Sequence, residues 1–302
     1  MKKAPFPLLP ITSLKTLELC QNLSVQKGDL FICSYPKSGT TWTQHIVLSL
    51  LLAAKNERQS SIKPYEHVSD YAPFFEIDPH WNMDTDELEQ SIQERHLHLG
   101  RRVFNTHLRW DMLPKGNGAK YIYLIRSPLD VCVSFYHHLS NQAEGQYTKG
   151  LDDFFSDWVD GKISFGSWAE HVQSFFPALR HGPSREVLIL CYDNMIENLP
   201  SHVQKISDFL SCDVPENKIY KIIKLCSFDS MRHPNNINRF QPKSVTWLNE
   251  FKFLRKGTAG DAKNFLSNKQ FEVFKRKLEA EKEFLPQLRE CFGTEIYNRL
   301  FS

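Results

Sequence analysis

Tyr35-Pro36-Lys37-Ser38-Gly39-Thr40-Thr41-Trp42 separates two segments of different periodicity. Before it, Asp29-Leu30-Phe31-Ile32-Cys33-Ser34 is a short apolar run of strand type. After it, residues 43–52 carry apolar side chains at helical spacing. A strand, a tight turn holding Ser and Gly, and a helix aim unpaired backbone N–H groups at one point. That point is a helix N-terminus, where an anion is favoured. Lys37 adds a mobile positive charge, and the hydroxyls of Ser38, Thr40 and Thr41 can donate to phosphate-type oxygens. Trp42 offers a flat face for a base. The stretch reads as a phosphate-binding loop.

It is not the nucleotide-triphosphatase loop. G-x-x-x-x-G-K-[ST] places its lysine after the second glycine and holds Mg²⁺ with the following hydroxyl. Here Lys37 precedes a single glycine by two residues. An incidental lysine on a buried turn would not need so many neighbours suited to one anion.

The chain has 302 residues, ample for one large core. A net charge of +2 with 24% charged residues argues against DNA or another bulk polyanion as partner. Phosphate binding must therefore come from local convergence of basic groups. Seven cysteines, with no C-x-x-C pair and several inside apolar runs, suggest buried thiols in a reducing compartment. No apolar run reaches membrane-spanning length, and the first residues lack the pattern of a signal peptide. The expectation is a cytoplasmic protein with no nucleic-acid and no membrane partner.

Working outward, residues 1–28 form a lead-in with a helix around Leu14–Asn22. Residues 56–95 are irregular and rich in aromatic side chains. A second strand runs from Arg101 to His107, a third over Lys120–Ile125 ending at Arg126, and a fourth over Glu186–Cys191 ending at Tyr192. Helices are expected from Pro128 to about Leu139, over 151–160, 164–180, 200–211 and 216–225, and over 268–285 toward the C-terminus. Residues 232–252 show no period and read as a mobile lid. Strands apolar on both faces, alternating with helices, indicate a single α/β domain over 1–302 whose central parallel sheet is covered on both sides. Ligands bind beyond the carboxyl ends of such strands. Lys37, His107, Arg126 and Tyr192 each follow a strand end, so four polar groups from distant parts of the chain should meet at one edge.

With these residues in place, the chain resembles the cytosolic sulfotransferases, which move a sulfuryl group from 3′-phosphoadenosine 5′-phosphosulfate (PAPS) to a hydroxyl or amine and release PAP. The likeness covers roughly Asp29 to Asp261. Tyr35–Trp42 matches the family's 5′-phosphosulfate loop. The segment from Arg126 to Tyr136 matches the one whose Arg126 and Ser134 hold the 3′-phosphate. Arg255-Lys256-Gly257-Thr258-Ala259-Gly260-Asp261 matches its R-K-G-x-x-G-D clamp. By position, Trp42 and Phe228 would sandwich the adenine and Tyr192 would hydrogen-bond to it. Ser227, Phe228 and Met231 fall where the family has its T-S-F-x-x-M stretch. Pro73-Phe74-Phe75-Glu76 resembles the P-F-x-E of the acceptor pocket, so Phe74, Phe75 and the 232–252 segment are its expected walls.

Sulfuryl transfer needs a base for the acceptor proton, a cation for the charge on the leaving phosphate, and alignment of the two. His107 suits the first role and Lys37 the second. Ser134 would position the 3′-phosphate and, as the resemblance implies, restrain Lys37. The reading calls for no metal. His137-His138 and His96-x-His98 are read as structural or surface residues, since no cysteine or carboxylate stands at zinc-like spacing from them. Two departures stand out. Asn105 replaces the lysine of the family's K-T-H-L-P, and the dimer-forming segment is degraded in residues 263–270, so no dimer is assigned. Two alternatives follow: a catalytically weak PAPS- or PAP-binding protein, and a P-loop kinase on a small metabolite, which would need a Mg²⁺-holding acid.

Overall fold

A computed structural model describes residues 4–55, 65–81, 99–180 and 186–301. Residues 56–64 and 82–95 of the irregular stretch, and His96 and His98, lie outside the described residues.

Four strands, β1 (Leu30–Ser34), β2 (Val103–Thr106), β3 (Lys120–Ile125) and β4 (Val187–Cys191), form one parallel sheet in the order β2-β1-β3-β4. Leu30 stands opposite Val103 on one side and Lys120 on the other; Tyr121 stands opposite Val187. Each apolar run is continuous because alternate residues feed two separate cores. Phe31, Cys33, Phe104, Tyr121 and Tyr123 enter one, which the Pro128–Ser140 and Trp168–Ser174 helices help to cover. Leu30, Ile32, Val103, Ile122 and Leu124 enter the other, beneath the Thr40–Lys55 and Leu199–Leu210 helices. From β1 the chain runs to β2 on one side and then to β3 on the other. The loop leaving β1 therefore lies at the point where strand order reverses, the crevice in which open α/β sheets bind ligands.

The helices begin where local chemistry allows. Ser13 accepts from Thr16 N to start Leu14–Gln21, Pro128 occupies the first turn of Pro128–Ser140, and a Ser267–Gln270 capping box starts Asn268–Ala280. Two expected helices differ in extent. The 164–180 stretch becomes Trp168–Ser174 and Phe176–Leu179, because Phe165 and Gly166 both turn through positive φ and Ser167 supplies the cap. The last helix ends at Ala280, and a further one, Phe284–Leu300, follows with a kink at Gly293. Residues 232–252 contain one 3₁₀ turn, Ile237–Arg239. They also pair with the chain beyond the Pro128–Ser140 helix: Ala143 N donates to Thr246 O at 2.9 Å and Leu248 N to Asn141 O at 2.8 Å. Among the described residues, no helix is long and apolar enough to cross a membrane.

Candidate active site

The loop after β1 is held from below. The buried Tyr35 hydroxyl donates to Gly166 O at 2.8 Å. Lys37 then adopts φ 69° and Gly39 φ 105°. A non-glycine residue in the left-handed region is uncommon and marks a loop whose surroundings hold it there. At Gly39 a side chain is excluded outright, since a Cβ would lie 2.7 Å from the Tyr192 ring.

Arg126, at the end of β3, closes over this loop. Its Nη1 donates to Lys37 O at 3.0 Å, and its guanidinium lies 4.4 Å from the centre of the Tyr192 ring. Its buried Nε has no protein partner. Asp130, one helical turn on, stands 3.9 Å from Arg126 and reaches away from it to accept from Gly260 N and Ala262 N, each at 2.7 Å. That pins the 255–261 turn to the head of the helix. Within the turn, Asp261 takes Arg255 and Lys256, each at 2.5 Å. Gly257 lies against the face of Phe228, so closely that a Cβ there would come within 2.3 Å of the ring.

These elements enclose a cavity of about 500 Å³. Lys37, Trp42, Arg126, Tyr192, Phe228 and Arg255 line it, with Ser134, Met231, Lys256 and Gly257. Phe74, Asn105, His107, Phe165 and Phe253 line it too, with residues 242–245. Trp42 is fixed by a 2.7 Å hydrogen bond from its indole N–H to Cys226 O.

His107 follows β2. Its Nδ1 donates to Ser34 O at 2.9 Å, which leaves the lone pair on Nε2. The ring sits edge-on to Phe74 and Phe165, at 5.3 and 5.4 Å. Burial, with a smaller push from Lys37 and partial opposition from the Ser34 hydrogen bond, takes the imidazole down to about 4. It is therefore neutral at pH 7. Glu76 Oε1 accepts from His107 N at 2.5 Å. This carboxyl is fully buried, and burial raises it to about 8 despite that hydrogen bond. It is protonated at pH 7 and puts no negative charge beside the imidazole. His171 Nε2 donates to His107 O at 3.1 Å, so a second buried ring supports the first. Neither His171 nor the hold of Asp130 on the turn is visible in the local sequence.

Lys37 is brought down to about 7 by burial, then by Arg126 and Arg255. Its Nζ meets His138 Nδ1 at 3.1 Å and lies 4.5 Å from the centre of the Phe253 ring.

Several expected residues fall elsewhere. Phe75 does not line the cavity; it is fully buried against Phe31, Phe104 and Trp81. The 73–75 segment pairs with Asn105 as an extended chain, so the two neighbouring phenylalanines point opposite ways and, of the pair, Phe74 faces the cavity. Ser227 caps the Phe228–Arg232 helix by accepting from Ser230 N and is not part of the lining, and Ser38 is buried beneath the loop. The ammonium of Lys37 meets His138, not Ser134. His138, read from sequence as structural or surface, is a cavity residue one turn beyond Ser134 on the same helix face. The i, i+4 spacing from Ser134 was the available signal. Asn105 Oδ1 is buried at the cavity without a hydrogen-bond partner.

The family model described as "Sulfotransferase domain" matches residues 27–286. Among curated proteins, the chain is 33% identical to sulfotransferase 1A1 of Rattus norvegicus, over 86% of each chain. It is 29% identical to an amine sulfotransferase of Oryctolagus cuniculus, over 91% of this chain and 88% of that one. Among solved structures, a mouse sulfotransferase crystallised with PAP shares the fold with a TM-score of 0.70 at 24% identity, covering 99% of this chain and 97% of that one. A match spanning most of the sequence, on a fold that gathers the loop, the arginines and the imidazole at one sheet edge, places this chain in the sulfotransferase family.

Proposed function

We propose that this protein transfers the sulfuryl group of PAPS to a hydroxyl or amine of a small, aromatic or hydrophobic acceptor. The carrying observation is that Lys37, Arg126 and Arg255 line one cavity with His107. The residues present fit the donor on structural grounds. The orphaned Nε of Arg126 asks for an anionic acceptor, and the glycines at 39 and 257 let the Tyr192 and Phe228 rings pack directly on the backbone at the cavity. Phe228 and Trp42 offer apolar faces for a purine. The 35–42 loop and Lys37 would hold the 5′ end, and Arg126, Ser134, Arg255 and Lys256 the 3′-phosphate. PAPS supplies an activated sulfuryl group whose leaving group is a phosphate.

His107 takes the proton of the acceptor on Nε2, while the Ser34 carbonyl holds the opposite nitrogen in the donating tautomer. Lys37 then carries the charge that develops on the leaving phosphate oxygen. Pro73, Phe74, Phe165 and Phe253 give the acceptor an apolar wall, and residues 242–245 of the 232–252 lid segment border it.

PAP should raise the melting temperature markedly, and ATP with Mg²⁺ only weakly. His107→Ala should abolish transfer and retain PAP binding. In the wild type, kcat/KM should stay level down to about pH 5 and fall with a midpoint near 4, because the base is lost only as Nε2 is protonated. Turnover by His107→Ala rules out His107 as the base, and an acid limb at pH 6–7 would show that burial does not hold its imidazole near 4.

A further inference from the structure

We propose that Phe165 is a positioning residue for the imidazole of His107, and that residues 6–12 of the lead-in hold it in place. This rests on the reading of His107 as the base. A bulky side chain in the left-handed region is kept only where its surroundings impose that backbone. Phe165 takes φ 71°, and Gly166 follows at 71°. Three hydrogen bonds fix the turn. Phe165 N donates to Pro7 O at 3.0 Å, Gly166 N to Ile163 O at 2.9 Å, and the Tyr35 hydroxyl to Gly166 O at 2.8 Å. The buried Phe165 ring is thereby set against both Phe6, at 5.7 Å, and His107, at 5.4 Å. The other aromatic neighbour of the imidazole is tied to the same lead-in. Two residues after Phe74, Glu76 O accepts from the Thr12 hydroxyl at 2.6 Å, and Asp78 N donates to Ile11 O at 2.8 Å. Residues 7–12 thus run from the phenylalanine on one side of the base to the segment bearing the one on the other. This stretch lies outside residues 27–286, which the family model matches.

The two rings do for His107 what its hydrogen bond cannot. The Ser34 carbonyl holds Nδ1, but one hydrogen bond leaves the imidazole free to swing about it. Phe74 and Phe165, edge-on to the ring, limit that swing and keep Nε2 aimed in one direction. They also cover two sides of the imidazole against water, which disfavours its charged form. The titratable groups facing it are Lys37 from the loop after β1, Glu76 beneath its backbone N–H, His138 from the Pro128–Ser140 helix and His171 from the Trp168–Ser174 helix. None is an anion between pH 4 and 7, since Glu76 holds its proton there. Exchanging Phe165 alters none of these groups, so a change in the titration of His107 reports the covering itself.

Three variants test this, each read by ¹⁵N NMR of ring-labelled histidine in donor-free protein. Phe165→Gly deletes the ring and suits the backbone, so the fold is retained. Its His107 should titrate about one pH unit or more above the wild-type value near 4. At pH 7 the base is still uncharged, yet kcat should fall about tenfold because the imidazole is less often in line, while PAP affinity stays within about twofold. Phe165→Leu restores apolar bulk and should bring the titration back to within about half a unit of wild type. Phe6→Ala changes a residue outside the cavity lining and should raise the titration by about half a unit or more. If His107 still titrates near 4 in folded Phe165→Gly, or kcat is unchanged there, Phe165 does not position the base. A Phe165→Leu protein that titrates like Phe165→Gly, or a Phe6→Ala protein that titrates like wild type, overturns the proposal as well. Turnover by His107→Ala would instead remove His107 as the base and leave these titrations as they are, so the two failures are read apart.

Discussion

Replacing Glu76 with glutamine should remove a pH dependence of stability that the wild type carries. Glu76 is fully buried and titrates near 8 in the folded protein, against about 4.3 in an unfolded chain. Below pH 4 both states hold the proton and the group is neutral to stability. Between the two values only the unfolded chain releases it, so the folded state loses about 1.4 kcal/mol for each pH unit gained. At pH 7 the accumulated loss is roughly 3 to 4 kcal/mol, and above pH 8 the curve levels. Glutamine retains an oxygen for the N–H of His107 and has no proton to lose. Its amide group adds a cost of its own where the second carboxyl oxygen sat, but that cost does not vary with pH. The quantity to measure is the difference in unfolding free energy between Glu76→Gln and wild type, from urea titrations at pH 5, 6, 7 and 8. It should move in favour of the variant by about 1.4 kcal/mol per unit. A difference flat to within about 0.5 kcal/mol would falsify the assignment of a buried, protonated carboxyl beside His107. The same variant should leave the acid limb of kcat/KM near pH 4, since the group it replaces is already uncharged there.

Two further substitutions test the phosphate side. Gly257→Ala combines a left-handed φ of 67° with a Cβ 2.3 Å from the Phe228 ring. The backbone alone costs about 1–2 kcal/mol and the ring must move, so PAP affinity should fall at least tenfold; affinity within twofold by calorimetry would show that Phe228 is not part of the adenine site. Asp130→Asn leaves one oxygen for two N–H groups and sets its own amide against the other. With roughly 3 kcal/mol removed from the order of the 255–261 turn, PAP should bind about 100-fold more weakly while the donor-free protein loses only a few degrees of melting temperature. Unchanged affinity would mean the turn is organised by something other than Asp130.

The sheet and the lysine loop were legible because they depend on nearest neighbours: a strand period meets a helical one across eight residues, and each strand end carries a polar residue. The parallel order also explains why Lys37, His107, Arg126 and Tyr192 converge. What sequence could not supply is parity and distance. Phe74 and Phe75 differ by one position, and only the pairing of residues 73–75 with Asn105 decides which of them faces the cavity. Glu76 and His171 reach His107 from 31 and 64 residues away, and Asp130 reaches the turn across 130 and 132. No local pattern encodes such contacts. His138 is different. Its place four residues after Ser134 was readable, but a second histidine beside it made both look like surface.

The free protein concentrates features that are each unfavourable. Lys37 is in the left-handed region, five cations (Lys37, Arg126, Lys243, Arg255 and Lys256) line one cavity, an arginine N–H is buried unpaired, and Lys37 is depressed to about 7. The acids nearby are engaged: Asp70 and Glu144, which line the cavity, accept from His67 N and from Thr246, while Asp130 and Asp261 lie outside the lining, the first occupied by backbone N–H groups and the second by Arg255 and Lys256. The last two fix the cations in place and leave their cavity faces unneutralised. An anion entering there would relieve the repulsion, satisfy the orphaned N–H and return Lys37 to its charged form in one step. Because Lys37 must take up a proton to meet that anion, PAP affinity should be full below about pH 7 and decline as pH rises above it. The strain carried by the loop is thus the same property that makes the site selective for a phosphate-bearing donor.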